Sequence, residues 1–322
     1  MLIRKICDTL SLGTLLEAPT VLHGGYTHRM LALTTSTGRY AVKLLNPDIM
    51  QRETALPNYR RAEALEALLE AEGLPILSAR TINGRKLHCV EGQYVYVFDY
   101  FDGHALREDE ITPAHCARMG DVLARIHQLD RRNCPEPFTQ PDPIDWQRLA
   151  EDLLTDAQAR TEALLLQDSL ALLQRVTAAA DAAQAHLPRV QTICHNDMDA
   201  KNVLWQEDQF RIIDLECLGW ADPLQEMIDL AVSWGGWPLN EARFTAFVRA
   251  YYIAGGDRPA DAALLLDSRR NHIDWLAYNA VRALGKDAQE RAMGRSQIVE
   301  TIGKIAEDQR NRERILRWMT NL

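Results

Sequence analysis

Between residues 30 and 46 the apolar positions fall into two short segments, MLALTT and YAVKLLN, on either side of Ser36-Thr37-Gly38. This pattern predicts a β-hairpin with glycine at its turn. Asn83-Gly84 marks a second hairpin, leading into KLHCV and on to YVYVFDY (94–100), where aromatic and β-branched residues favour a strand. Between the two, NYRRAEALEALLEAEG carries Leu65, Leu68 and Leu69 among strong helix formers and stops at Gly73 with Pro75 beyond, which predicts a helix. From about residue 104 the pattern turns helical. Thr112 and Pro113 supply an N-cap and a proline at the first helical position, and Cys116, Met119, Leu123 and Ile126 follow at helical spacing down to His127. The Ala/Leu/Gln/Glu-rich stretch 144–186 predicts a helical pair stopped by Pro188. Asp222-Pro223 starts another helix, closed by Gly235-Gly236, and segments 240–254, 259–284 and 287–319 complete the chain.

These elements predict an α+β chain of two parts: a small β-rich N-terminal lobe (1–102), a connector near Asp102-Gly103 and a larger helical lobe (103–322). A cleft between such lobes is a common place for a ligand. With 47% apolar and 25% charged residues, the composition is that of a globular protein. No run approaches the ~20 apolar residues a membrane span needs, so no membrane association is expected. The start MLIRKICDTL is basic, but Asp8 interrupts its apolar run. No signal peptide is read, and the expected location is cytoplasmic. Six scattered cysteines without a CxxC pair predict free thiols and no zinc site. The net charge of −9 argues against nucleic acid as a partner; it fits plain solubility and also a cationic substrate.

Candidate chemistry is concentrated in TICHNDMDAKNVLWQEDQFRIIDLECLGWADP (192–223). Two short apolar strands, NVLW and FRIID, flank the turn 206–209. Asp197 and Asn202 precede the first strand and Asp214 ends the second, so a hairpin folds two carboxylates and an amide together. Phosphoryl transfer needs such a cluster: one carboxylate to orient or deprotonate the attacking hydroxyl, and an amide with a second carboxylate to hold Mg²⁺ against the phosphates. A polar loop in which Asp197 and Asn202 merely cap turns is the competing reading.

The arrangement resembles the catalytic loop and metal motif of protein kinases, and more closely the aminoglycoside phosphotransferase/choline kinase superfamily, written HxDxxxxN followed by an apolar strand and ID-[WFL]-E. The resemblance implies a bilobal protein-kinase-like fold with Asp197 as catalytic base, Asn202 and Asp214 as metal ligands and His195 as a structural loop residue. Glu216 and Asp199 are metal-proximal candidates. AVK (41–43) is similar to the kinase VAIK strand, which makes Lys43 the candidate for the α/β-phosphates. Glu63 on the following helix is its implied ion-pair partner, with Glu53 and Glu66 as rivals. Gly24-Gly25, with Gly25 the contact residue, would cover the triphosphate, helped by N–H groups near Tyr26 and Thr27. FDYFDG (98–103) looks like the family's hinge, where the main chain of Asp99 and Phe101 would bond the base. His127 is read as a packing residue, Asp222 as a helix cap and Asp229 as a structural anchor.

Only eight residues separate Asp214 from the Asp222-Pro223 helix start, which leaves no room for the activation loop that positions a peptide. The expected acceptor is therefore a small-molecule hydroxyl and the donor ATP or GTP, with Mg²⁺ as cofactor and a monomer or homodimer as the assembly. Trp234, Trp237, Asp274, Trp275, Tyr278 and Asn279 are candidate acceptor-pocket residues. Three functions fit: an antibiotic phosphotransferase, a metabolic kinase of an amino alcohol, sugar or homoserine-like compound, and a non-catalytic nucleotide-binding module. The complete Lys/Asp/Asn/Asp set weighs against the last.

Overall fold

The structure is a computed structural model that describes residues 1–22, 28–133 and 141–322. Its strands are β1 (Thr20–Leu22), β2 (Arg29–Thr35), β3 (Gly38–Leu44), β4 (His88–Val90), β5 (Gln93–Asp99), β6 (His104–Ala105), β7 (Arg131–Asn133), β8 (Val190–Cys194), β9 (Val203–Gln206), β10 (Gln209–Ile212) and β11 (Gly219–Ala221). The helices are α1 (Leu2–Thr9), α2 (Pro47–Met50), α3 (Ala55–Ala71), α4 (Pro113–His127), α5 (Trp146–Leu154), α6 (Arg160–Asp168), α7 (Leu170–Gln184), α8 (Pro223–Gly235), α9 (Glu241–Ile253), α10 (Ala262–Asp267), α11 (Asn271–Arg282) and α12 (Ala288–Thr320). No described helix is long and apolar enough to cross a membrane.

The chain divides into two compact units. The first comprises residues 1–112, 125–131 and 192–221; the second comprises 113–124, 132–191 and 222–322. A boundary at 102/103 follows chain order, whereas these units do not, because the β9/β10 hairpin pairs with β6 and bridges to Ile76. Gly103 explains part of this. A Cβ there would lie 2.8 Å from the Trp205 carbonyl, so only glycine lets the chain approach closely enough for β6 to pair with β9. Ile76 adds a parallel bridge to Ile212, with Ile212 N–H donating to Pro75 and Leu77 N–H to Ile212.

The first unit is built on an antiparallel five-stranded sheet of order β1-β2-β3-β5-β4. The Ser36-Thr37 hairpin forms as its pattern predicts. The second does not: β4 and β5 turn at Glu91-Gly92, both at positive φ, while Asn83-Gly84 closes only an isolated Ile82–Arg85 bridge. Both turns have the left-handed pair of dihedrals that a two-residue hairpin needs, so the dipeptide alone was not decisive. Alternation on β3 sends Tyr40, Val42 and Leu44 into a cluster with Val95, Val97 and residues Ile6, Cys7 and Leu10 of the N-terminal segment. That segment is helical, an element the sequence reading did not assign. Lys43 points to the opposite face, beside its cross-strand partner Tyr96.

The second unit is helical. Its core gathers Trp146, Leu153, Leu166, Leu173, Ile273, Leu276, Ile298 and Ile302 from α5, α6, α7, α11 and α12. The stretch 144–186 forms three α-helices and 259–284 forms two, where fewer were expected, because their breaks lack proline and glycine. Gly120 of α4 meets α9 so closely that a Cβ would lie 2.1 Å from the Phe247 carbonyl. Asp222 caps α8 by accepting from the Leu224 and Gln225 N–H groups. Asp229 accepts from Arg269 Nε at 2.7 Å, and Asp308 sits 3.2 Å from the same guanidinium, an anchoring network of largely covered charges. The five described cysteines are free; Cys134 lies outside the described residues.

Candidate active site

The first compact unit alone carries two clusters joined through the backbone. In the first, Lys43 on β3 is buried (8% exposed) and its Nζ donates to Asp214 Oδ1 at 2.5 Å and to Glu216 Oε2. Burial works against the lysine's charge, but Glu216 and Asp214 more than offset it and raise its pKa. Burial alone would raise Glu216; the His28 hydrogen bond and the Lys43 charge instead bring it down to about 2. His28 is held in register from its other side. Asn46 N–H donates to its Nδ1 at 3.0 Å, which leaves Nε2 to carry the proton, 3.1 Å from Glu216 Oε1 and 3.0 Å from the Tyr59 hydroxyl.

The second cluster lies on the loop between β8 and β9. Asn202 Nδ2 donates to the Asp197 carbonyl at 2.7 Å and to its Oδ2 at 2.8 Å, while Lys201 Nζ donates to Oδ1 at 2.8 Å. Burial raises the Asp197 pKa, and Lys201 opposes that rise. His195 is fully buried and joins the clusters: its Nδ1 accepts from Asp197 N–H and its Nε2 donates to the Ile213 carbonyl. Ile213 N–H in turn donates to the Asn202 carbonyl at 2.9 Å. A hairpin of four-residue strands therefore fixes the loop before it and the carboxylate after it in one frame. Asn196 and Asp214 both adopt the left-handed conformation at φ 64°, which Asn and Asp tolerate better than other non-glycine residues; such outliers concentrate where structure serves a site.

The structure thus brings together Lys43, Asn202, Asp197 and Asp214 within one unit. It does not join Glu63 to Lys43. Glu63 accepts from the Tyr96 hydroxyl at 2.9 Å, and the rival Glu66 is taken by Lys86 and the Ala79 N–H. Glu216 and Asp214 hold the lysine instead, because the short 3₁₀ turn after β10 (Leu215–Cys217) delivers both carboxylates to β3. Asp99 ends β5 with its side chain paired to Arg80, and the Phe101 ring lies 5.5 Å from the Arg211 guanidinium. Gly25, like Gly24, Tyr26 and Thr27, lies outside the described residues.

Sequence reasoning passed over His28, Tyr59 and Lys201. Only Lys201 left a readable signal, its i+4 spacing from Asp197. Among the acceptor-pocket candidates, Trp234 and Asn279 are buried in the helical unit. Asp274 is paired with Arg270, and Trp237 packs against His272. Trp275 and Tyr278 stack on each other at 5.6 Å on an exposed face of α11.

A divalent cation fits the donor set. The Asn202 amide nitrogen is spent on Asp197, which leaves its oxygen to face a cation, and Asp214 offers a carboxylate; both are the hard oxygen donors that a divalent cation such as Mg²⁺ takes.

Residues 19–265 match the sequence model of the Phosphotransferase enzyme family, APH. No curated protein matches the sequence. Solved structures with the same fold include spectinomycin phosphotransferase APH(9)-Ia in complex with ADP and spectinomycin (TM-score 0.68, 14% identity, covering 94% of this chain and 98% of that one). Amicoumacin kinase hAmiN, in complex with AMP-PNP, Ca²⁺ and Ami, gives a TM-score of 0.62 at 12% identity, covering 93% and 92%. The microcompartment-associated aminopropanol kinase gives 0.62 at 15% identity, covering 98% of both chains. At these identities the likeness establishes the kinase-like fold.

Proposed function

Because the chain belongs to the phosphotransferase enzyme family, we propose that it moves the γ-phosphate of ATP or GTP onto the hydroxyl of a small molecule, with Asp197 as the base. The observation that carries this reading is the single backbone frame holding the Asp197/Asn202 pair beside the Lys43/Asp214/Glu216 cluster.

Asp197 orients the acceptor hydroxyl and takes its proton as the new oxygen–phosphorus bond forms. The bond from the γ-phosphorus to the β–γ bridging oxygen breaks, and its electron pair leaves on the nucleoside diphosphate. The transition state is loose, so the proton moves late and positioning supplies most of the acceleration. Asn202 serves twice, fixing Asp197 through its amide nitrogen and offering its oxygen, with Asp214, to the metal. Bound there, Mg²⁺ would neutralise phosphate charge. Lys43 meets the α/β-phosphates, and the main chain near Asp99 and Phe101, with Gly25, is assigned to the nucleotide.

Lys43 is aimed by Glu216 rather than Glu63 in this reading. Glu216→Gln is expected to weaken nucleotide affinity about tenfold or more, since it leaves a buried lysine half-paired, whereas Glu63→Gln leaves affinity within about threefold. A fluorescence titration with nucleotide checks both, and equal losses would return the anchoring role to Glu63.

Between Asp214 and α8 the chain has room only for the 3₁₀ turn and the three-residue β11, which favours a small acceptor over a peptide. The structural neighbours' names span antibiotics and an amino alcohol, so both classes belong in the test. We assign the reaction to the cytoplasm and Mg²⁺ as its metal.

A coupled assay of nucleoside diphosphate release, with Mg²⁺ and either ATP or GTP across aminoglycosides, other antibiotics, amino alcohols and sugars, tests the proposal. Acceptor-dependent release that depends on Asp197 supports it. Tight nucleotide binding with no turnover on any acceptor would favour the binding-module reading instead.

A further inference from the structure

Lys201 has no role in the mechanism above, yet its ammonium is bonded to the proposed base. It sits on the 3₁₀ turn Ala200–Asn202, with Nζ 2.8 Å from Asp197 Oδ1 and 3.5 Å from Asp199 Oδ2. Its side chain is 46% exposed, so the pair is not a buried structural bridge, and pairs this open contribute little to stability. Nor is Lys201 needed to hold Asp197 in place, since Asn202 already fixes that residue at its carbonyl and at Oδ2. An ionised carboxylate offers about four lone-pair positions, so with Asn202 and Lys201 bound, two remain for an acceptor hydroxyl.

A cation on the base has a cost for proton abstraction, because it lowers the basicity of Asp197. Its charge is better matched to the transferred group. A hydroxyl poised for attack lies about 3–3.5 Å from phosphorus. An ammonium one hydrogen bond from the carboxylate that holds this hydroxyl is then within one swing of the phosphoryl oxygens, where a loose transition state concentrates charge. Lys43, held by Asp214 and Glu216, is assigned to the α/β-phosphates, which leaves the γ-phosphoryl to another cation.

We propose that Lys201 is a second catalytic residue, whose ammonium turns from Asp197 Oδ1 to the equatorial oxygens of the γ-phosphoryl during transfer. This rests on the phosphotransfer reading. The lysine keeps its three protons throughout and contributes charge and hydrogen bonds; the acceptor's proton still goes to Asp197 and the electron pair still leaves on the diphosphate. The arrangement supplies from within the chain the charge that an arginine finger supplies elsewhere.

The test needs no knowledge of the acceptor. Affinity for Mg·ADP alone, and for Mg·ADP with aluminium fluoride as a mimic of the transferred phosphoryl, is measured by calorimetry on the full chain, Lys201→Met and Lys201→Arg. The parent should bind ADP more tightly with aluminium fluoride, and Lys201→Met should lose that gain about tenfold or more while binding ADP alone within about twofold of the parent. Lys201→Arg should recover most of the gain. An undiminished gain in Lys201→Met, or an equal loss of ADP alone, overturns the role. A parent that binds ADP but shows no gain does so too. A parent that fails to bind ADP at all overturns the nucleotide reading beneath it, a separate and recognisable failure.

Discussion

Asp197→Ala is expected to lower turnover by about 10²–10⁴ while leaving nucleotide affinity nearly unchanged, since a positioned base acts on the transition state and not on the bound nucleotide. The geometry sharpens the expectation. Asp197 touches Asn202 through its side-chain Oδ2 and also through its main-chain carbonyl at 2.7 Å, and the alanine variant keeps the carbonyl contact. Asn202 therefore keeps its orientation, and nucleotide binding is expected to survive. Lys201 loses one carboxylate but retains Asp199. Steady-state kinetics with the identified acceptor, alongside a nucleotide titration, separate the two quantities. Turnover within about threefold of the parent would remove Asp197 from the role of base.

Asp214→Asn should produce a different signature: turnover falls by about 10² or more, and the Mg²⁺ concentration needed for half-maximal rate rises together with the nucleotide KM. Asparagine is the informative replacement because Asp214 sits at φ 64°, a conformation that asparagine tolerates and that costs alanine about 1–2 kcal/mol. The substitution removes one negative charge from the proposed metal position and one of the two carboxylates that hold Lys43, leaving Glu216. Both effects act on the nucleotide's phosphates, so ground-state binding changes along with rate. An Mg²⁺ titration at several nucleotide concentrations reads this directly. A loss of turnover with unaltered Mg²⁺ dependence would place the metal elsewhere.

The two variants divide the site along the line its construction suggests. Asp197 and its amide partner Asn202 are fixed by the loop between β8 and β9, whereas Lys43 and its carboxylates meet only because the end of β10 returns to β3. His195 links the halves through hydrogen bonds to both strand ends, from a position with no exposure. A residue so placed transmits position without touching a reactant, which agrees with reading it as structural.

Much of this was legible in the residues. The β9/β10 hairpin, the AVK strand and the Asp222-Pro223 helix start all form where local pattern and turn chemistry placed them, because a hairpin or a helix start is decided by neighbours a few residues apart. Asp197, Asn202 and Asp214 converge for the same reason: sequence separation and one tight turn suffice. The partner of Lys43 is another matter. Lys43 and Glu216 are 173 residues apart, and a helix that offers Glu63 at a familiar position gives no local sign that the Tyr96 hydroxyl will claim it. His28 is equally silent in sequence, since its function depends on the Asn46 N–H fixing one ring nitrogen so that the other faces Glu216. The membership of residues 192–221 in the sheet unit also turned on tertiary packing, through the glycine at 103 and the bridge at Ile76. The sequence by itself determined the local frames that carry Asp197, Asn202 and Asp214. Which buried charge meets which was decided only when the chain closed on itself, because pairing a desolvated lysine depends on the carboxylates that packing brings within reach, not on those nearest along the chain.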